Sequence, residues 1–117
     1  MKKSLLLVFG LVIADQVAKY FLESTRNTGA AFGILKGYNL LLIIVSVIAL
    51  GFFIYYFNKN KLACSLVVAG IIGNLVDRVL LGGVRDFIDL RIWPVFNLAD
   101  AYCVAGIGLL IIGMIRK

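Results

Sequence analysis

The chain contains no histidine. That absence removes the Ser-His-Asp and Cys-His forms of nucleophilic catalysis and most zinc sites. Charge is also scarce: Asp, Glu, Lys and Arg make up 15% of the residues, against about 25% in a soluble domain. One proline and no low-complexity tract leave nothing that reads as a linker, and no internal repeat is visible, so 117 residues make one domain. The two cysteines, Cys64 and Cys103, both lie in apolar runs. They read as small buried hydrophobes rather than as a disulfide or a metal pair. What remains is oil. The sequence is 62% hydrophobic with a mean hydropathy of +1.04, more than a soluble core of this size can hide, and a membrane protein is the class to test first.

Four apolar segments stand out: Leu5 to Leu22, Tyr38 to Phe57, Leu62 to Leu81 and Leu98 to Ile115. Each is about 18–20 residues long, roughly 27–30 Å as a helix, which suits a bilayer core. A backbone in lipid must satisfy its own hydrogen bonds, so the expected fold is an all-α bundle of four transmembrane helices in one domain spanning 1–117. The opening MKKSLLLVFGLVIA has the form of a cleavable secretory leader. The apolar pattern nevertheless continues through Tyr20, Phe21 and Leu22, and Asp15 and Lys19 share a helix face, so the segment is expected to stay as the first span.

Four spans put both termini on one side. That side carries Lys2, Lys3, Lys59, Lys61, Arg116 and Lys117 and no acid, while the other six bases are matched by all six acids. The whole net charge of +6 therefore sits on one face, which the positive-inside rule assigns to the cytoplasm. It is a topology signal, and no nucleic-acid partner is expected.

The polar residues inside the spans gather at one level. Asp15, Gln16 and Lys19 lie late in the first span, and Asn74, Asp77 and Arg78 lie late in the third at i, i+3 and i+4. Asn97 and Asp100 open the fourth, and Asp86 and Asp89 lie between the third and fourth. All converge near the extracytoplasmic surface. Charges at such depth face a bundle interior or a wet cavity. Asp15 with Lys19, and Asp77 with Arg78 or Arg85, can be structural ion pairs. Asp100 falls in the first turn of a helix, where the dipole favours a carboxylate. The 13 residues from Phe87 to Ala99 are enough chain to fold Asp86 back onto it. Two carboxyls held together share one proton, so that one serves as base and the other as acid. Such a pair can activate water for amide hydrolysis without histidine, metal or cofactor. From spacing alone, a structural ion-pair cluster remains the competing account.

Five motifs occur in order: Asp15-Gln16-Val17-Ala18-Lys19, Arg26-Asn27-Thr28-Gly29-Ala30-Ala31-Phe32, Gly73-Asn74-Leu75-Val76-Asp77-Arg78, Asp86-Phe87-Ile88 and Phe96-Asn97-Leu98-Ala99-Asp100. Together they resemble lipoprotein signal peptidase (signal peptidase II), a bacterial inner-membrane aspartic protease. The resemblance implies that Asp86 and Asp100 are catalytic, and that Asp15, Lys19, Asn27, Gly29, Asn74, Asp77, Arg78 and Asn97 bind substrate or shape the site. It implies a substrate, a prolipoprotein whose cysteine already carries diacylglycerol, cut just before that cysteine. Membrane lipids and globomycin-type inhibitors are further implied partners, and a monomer is expected.

Three departures from the family pattern bear on that expectation. Only Tyr20 to Thr25 separates Lys19 from Arg26, where family members usually carry a longer segment that forms an extracytoplasmic cradle. Arg85 precedes Asp86, where an apolar residue is usual, and a guanidinium beside Asp86 would favour its ionised form. Ala18 stands in for a small hydroxyl residue. Two other functions fit the span count: a small four-helix exporter with Asp15 as its proton-coupled carboxylate, and an inactive relative that binds lipoprotein or lipid. Within Val84 to Ala101, Asp89 reads as a loop acid paired with Arg91, and Trp93 reads as an interfacial anchor.

Overall fold

The computed structural model describes residues 1–22 and 37–116 in full and residues 25–27 as backbone. Among the described residues the α-helices are α1 (Lys2–Phe21), α2 (Asn39–Tyr55), α3 (Lys61–Leu81) and α4 (Leu98–Ile115). α1, α3 and α4 are each long and apolar enough to cross a membrane, whereas α2 has 17 residues. It ends earlier than its hydropathy suggests because Phe57–Lys59 tighten into a 3-10 turn that leads into α3. α1 runs unbroken past Ala14. Among the described residues the β structure is small: β1 (Thr25–Asn27) pairs antiparallel with β2 (Val84–Asp86), with Arg26 opposite Arg85. This ribbon is the departure from a purely helical bundle.

Local chemistry sets the helix ends. The Asn60 side chain caps α3 by accepting the Ala63 N–H at 3.1 Å. Gly82 closes α3 in the left-handed region, at φ 75°, which glycine enters without a Cβ clash. α4 starts with a capping box: Asn97 accepts the Asp100 N–H, and Asp100 accepts the Asn97 N–H.

α3 is the central helix. It packs on α4, α1 and α2, and half of its apolar window is buried, against 11% for α1 and 17% for α4. In lipid no hydrophobic force draws helices together, so close approach depends on small residues. A Cβ on Gly106 would lie 2.6 Å from the Ala63 carbonyl oxygen, and one on Gly70 would lie 2.5 Å from that of Ala99. Gly70→Ala should therefore push α3 and α4 apart and cost about 1–3 kcal/mol, read as unfolding in detergent. Gly108→Ala meets nothing within 4 Å and serves as the control. Equal stability of the two variants would mean that the helices are not packed through Gly70.

The interior is divided by depth. Phe57, Cys64 and Val68 form an apolar cluster with Val8, Leu50, Phe53 and Ile72 packed against it. Both cysteines are free thiols, Cys64 buried and Cys103 partly so. Toward the opposite end the buried polar side chains are Asp15, Lys19, Asp77, Arg78, Asp86, Asn97 and Asp100. Most large apolar residues of α1, α2 and α4 face outward, as they do when lipid is the solvent.

Candidate active site

The polar end is built from three helix termini and β2. Lys19 is completely buried. Its ammonium sits 2.7 Å from Asp15 and 3.2 Å from Asp77, and it donates to the Gly73 carbonyl and to Asn74 Oδ1. Asp15 turns its other oxygen to α4, accepting the Ala99 N–H at 2.9 Å. One carboxylate thus joins α1 to the first turn of α4, where the helix dipole favours it. Gly73 makes room for this, since a Cβ there would lie 2.6 Å from Asp15 Oδ2.

Arg85 closes the cluster from above. Its guanidinium lies 2.9 Å from Asp77, its backbone N–H donates to Asp77 at 2.9 Å, and Nη2 also donates to Gln16 at 2.8 Å. That hydrogen bond to Asp77, which favours the protonated guanidinium, raises Arg85 further above its usual range. Of the two partners expected for Asp77, Arg85 pairs with it at 2.9 Å, and Arg78 interacts with it electrostatically. The guanidinium expected beside Asp86 turns to Asp77 instead, and the reason is the strand: consecutive β residues point to opposite faces, so Arg85 faces α1 and α3 while Asp86 faces α4.

The chain after β2 folds back as its length allowed. Ile88 and Phe96 form an antiparallel bridge, with Phe87 and Ile88 donating to the Phe96 carbonyl. This clasp delivers Asn97 to Asp86. Asn97 Nδ2 donates to Asp86 Oδ1 at 2.9 Å, while the Asn97 N–H donates to Asp100 Oδ2 at 3.2 Å. Asn74 donates to the other Asp100 oxygen at 3.0 Å, and its own carbonyl accepts from Lys19 and Asn97. Asp86 and Asp100 are 3% and 7% exposed. Both answer to one asparagine, and a hydrogen-bonded path runs from Lys19 through Asn74 to Asp100.

Two clefts meet at Asp100. One, of about 470 Å³, is walled by Leu90, Trp93, Phe96 and the apolar face of α4. The other, of about 230 Å³, lies between α2, α3 and α4 and reaches Asn74 and Arg78. The Arg78 guanidinium interacts electrostatically with Asp100, Asp86 and Asp77, and its carbonyl accepts from Asn39 at 3.2 Å.

Of the expected site residues, Asp15, Lys19, Asn74, Asp77, Arg78, Asp86, Asn97 and Asp100 converge here. Asn27 is described only as backbone, in β1 opposite Val84, and Gly29 lies outside the described residues. Asp89 is exposed, and its expected ion pair with Arg91 is corrected: the contact is the Arg91 backbone N–H at 2.9 Å. Arg91 takes a φ of 69° there. Gln16 is not among the expected site residues, yet it contacts Asp15, Gly73, Asp77 and Arg85. An amide inside an apolar helix, next to a buried acid, was the available signal.

A family model described as signal peptidase (SPase) II matches residues 7–116. A lipoprotein signal peptidase of Halothermothrix orenii is 43% identical over 99 residues, which cover 80% of this chain and 68% of that protein. One from Staphylococcus aureus is 36% identical over 143 residues, covering 97% of this chain and 88% of that protein. That alignment runs longer than the 117 residues present here, so the relative carries residues with no counterpart. Two solved bacterial membrane enzymes share the fold. One has a TM-score of 0.91 at 36% identity, over 99% of this chain and 89% of its own. The other has a TM-score of 0.86 at 33% identity, over 100% and 95%.

Proposed function

The chain belongs to the signal peptidase II family, and on that premise we propose that it is an aspartic endopeptidase that removes signal peptides from diacylglyceryl-modified prolipoproteins. Asp86 and Asp100 are the reacting pair. The observation that carries this reading is Asn97, which hydrogen-bonds both carboxyls while the two clefts open onto Asp100.

The pair holds one proton between its carboxyls. The ionised carboxylate takes a proton from water, and the oxygen of that water attacks the carbonyl carbon before the lipidated cysteine. The protonated carboxyl gives its proton to the carbonyl oxygen as charge develops there. As the resulting diol collapses, the carboxyl that gave up its proton takes one back from a diol hydroxyl, and the C–N bond breaks. The proton taken from water goes to the departing cysteine nitrogen, and the pair returns to one shared proton. Burial keeps bulk water from competing, and the apolar clefts admit acyl chains or signal-peptide side chains from the side.

The bundle crosses the bacterial inner membrane four times in this reading, with α2 as the shortest span, both termini in the cytoplasm and the site near the outer surface. Trp93, half-exposed beside the larger cleft, anchors that interface. A monomer contains the whole site, and globomycin-type peptides would compete for the clefts. The exporter alternative is weakened by Asp15, whose two oxygens are already engaged by Ala99, Lys19 and Gln16.

The test is a gel-shift assay with the full chain in detergent. A diacylated prolipoprotein should be shortened, an unlipidated one should remain intact, and globomycin should block the conversion. Cleavage of both substrates at equal rates would remove the lipid requirement, and cleavage of neither would leave the inactive relative.

A further inference from the structure

We propose that Arg85 is a positioning residue for the carboxyl pair, tying β2 to the buried cluster and keeping the pair singly protonated. This rests on the reading of Asp86 and Asp100 as the reacting pair. Arg85 is joined through its N–H, its Nε and Nη2, and its carbonyl. Its N–H and Nε meet Asp77 Oδ2, and Nη2 meets Asp77 Oδ1 and Gln16. Its carbonyl accepts Asn97 Nδ2 at 3.2 Å. The same Asn97 amide holds Asp86, the next residue along. One residue therefore ties the strand bearing Asp86 to α3 and α1 below it and to the start of α4 beside it. Arginine suits this post because its planar fork reaches both oxygens of a carboxylate.

The second part is charge. The charged groups facing this region among the described residues are Asp15 and Lys19 from α1, Asp77 and Arg78 from α3, Arg85 and Asp86 on β2, and Asp100 from α4, and the uncharged Tyr102 and Cys103 of α4 also face Asp15. α2 contributes only the neutral Asn39. Four carboxyls sharing one proton carry three negative charges, against three cations. Removing Arg85 leaves one negative charge in excess in a buried site, where such an excess is costly. The direct remedy is a second proton on the Asp86–Asp100 pair, which eliminates the base.

Three variants separate these effects: Arg85→Met, Arg85→Lys and Asp77→Asn/Arg85→Met. With a lipidated substrate at pH 7, Arg85→Met should lose about 10²-fold in kcat, with KM changed by less than about twofold. The acid limb of its pH–rate profile should move about one pH unit upward. Arg85→Lys keeps the charge and should keep the wild-type limb while turning over more slowly. The double variant removes one negative and one positive group together, so its limb should return while the rate stays low. A merely structural Arg85 would leave the limb in place in every folded variant and make Lys no better than Met, which would overturn the proposal, as would wild-type kinetics in Arg85→Met. Infrared titration of the carboxyl band, which needs no turnover, should show its midpoint about one pH unit higher in Arg85→Met than in the wild-type chain. If the wild-type chain cuts no lipoprotein, the protease reading falls. An unchanged carboxyl band in Arg85→Met would sink the inference about Arg85.

Discussion

Asp86→Asn and Asp100→Asn should each stop cleavage of a diacylated prolipoprotein, with kcat lower by at least about 10⁴-fold. Asn keeps the shape and one acceptor oxygen but can act neither as the base nor as the proton source. Asp86→Asn is the cleaner test. Its Oδ1 accepts from Asn97, and an amide oxygen fills the same place. Asp100→Asn also disturbs the start of α4, because both Asp100 oxygens accept N–H groups, from Asn74 and from Asn97, and an amide offers only one acceptor. Some of its loss should therefore appear as reduced stability. The double variant should be no slower than either single one, since residues that act as a unit do not lose rate additively. Asp89→Asn should stay within about twofold of wild type, because an exposed surface contact contributes little. Wild-type turnover by Asp86→Asn would end the assignment. A loss confined to Asp100→Asn and tracking its thermal stability would end it equally, by reducing Asp100 to a helix cap.

What could be read in advance follows from the range of each physical signal. Hydropathy over about 20 residues finds α1, α3 and α4 because lipid acts on a whole helix at once. The spacing of Asp15 with Lys19, and of Asn74 with Asp77 and Arg78, was legible because helical periodicity places them on one face. Asn97 with Asp100 reads as a helix start, since Asn-x-x-Asp approximates a capping box. The choice between Asp77 and Asp86 as the neighbour of the Arg85 guanidinium was not legible. It depends on a three-residue strand whose alternation turns Arg85 away from its own neighbour Asp86, and that strand exists only because β1 pairs with it across the fold. Gln16 escaped for a related reason: all but one of its partners lie more than fifty residues away. The end of α2 was read too late because Tyr56 and Phe57 remain apolar while the backbone has already left the α-helix.

The substitution expected to harm the fold most is Lys19→Met. The side chain has no exposure, and its ammonium faces Asp15 at 2.7 Å and Asp77 at 3.2 Å. Removing one member of a buried ionic group leaves the others unneutralised, at a cost of about 3–5 kcal/mol. Arg85 still meets Asp77, so Asp15 bears most of the loss, with only the Gln16 amide and the Ala99 N–H left to it. Unfolding in detergent, compared with the wild-type chain, reads the effect directly. Asp15→Asn in the same background should recover part of it by removing the stranded charge, although Asn cannot take the Ala99 N–H and the Gln16 amide through two acceptors. Function should suffer even where the variant folds. Lys19 and Asn97 both donate to Asn74 Oδ1, and this pair of donors turns the amide so that Nδ2 points at Asp100. Without Lys19 the amide loses one of the two contacts that set its direction, and Asp100 is held less firmly. Lys19→Met within about 1 kcal/mol of wild type would place this cluster among weak surface-like pairs and would remove the physical basis for the path from Lys19 to the reacting carboxyls.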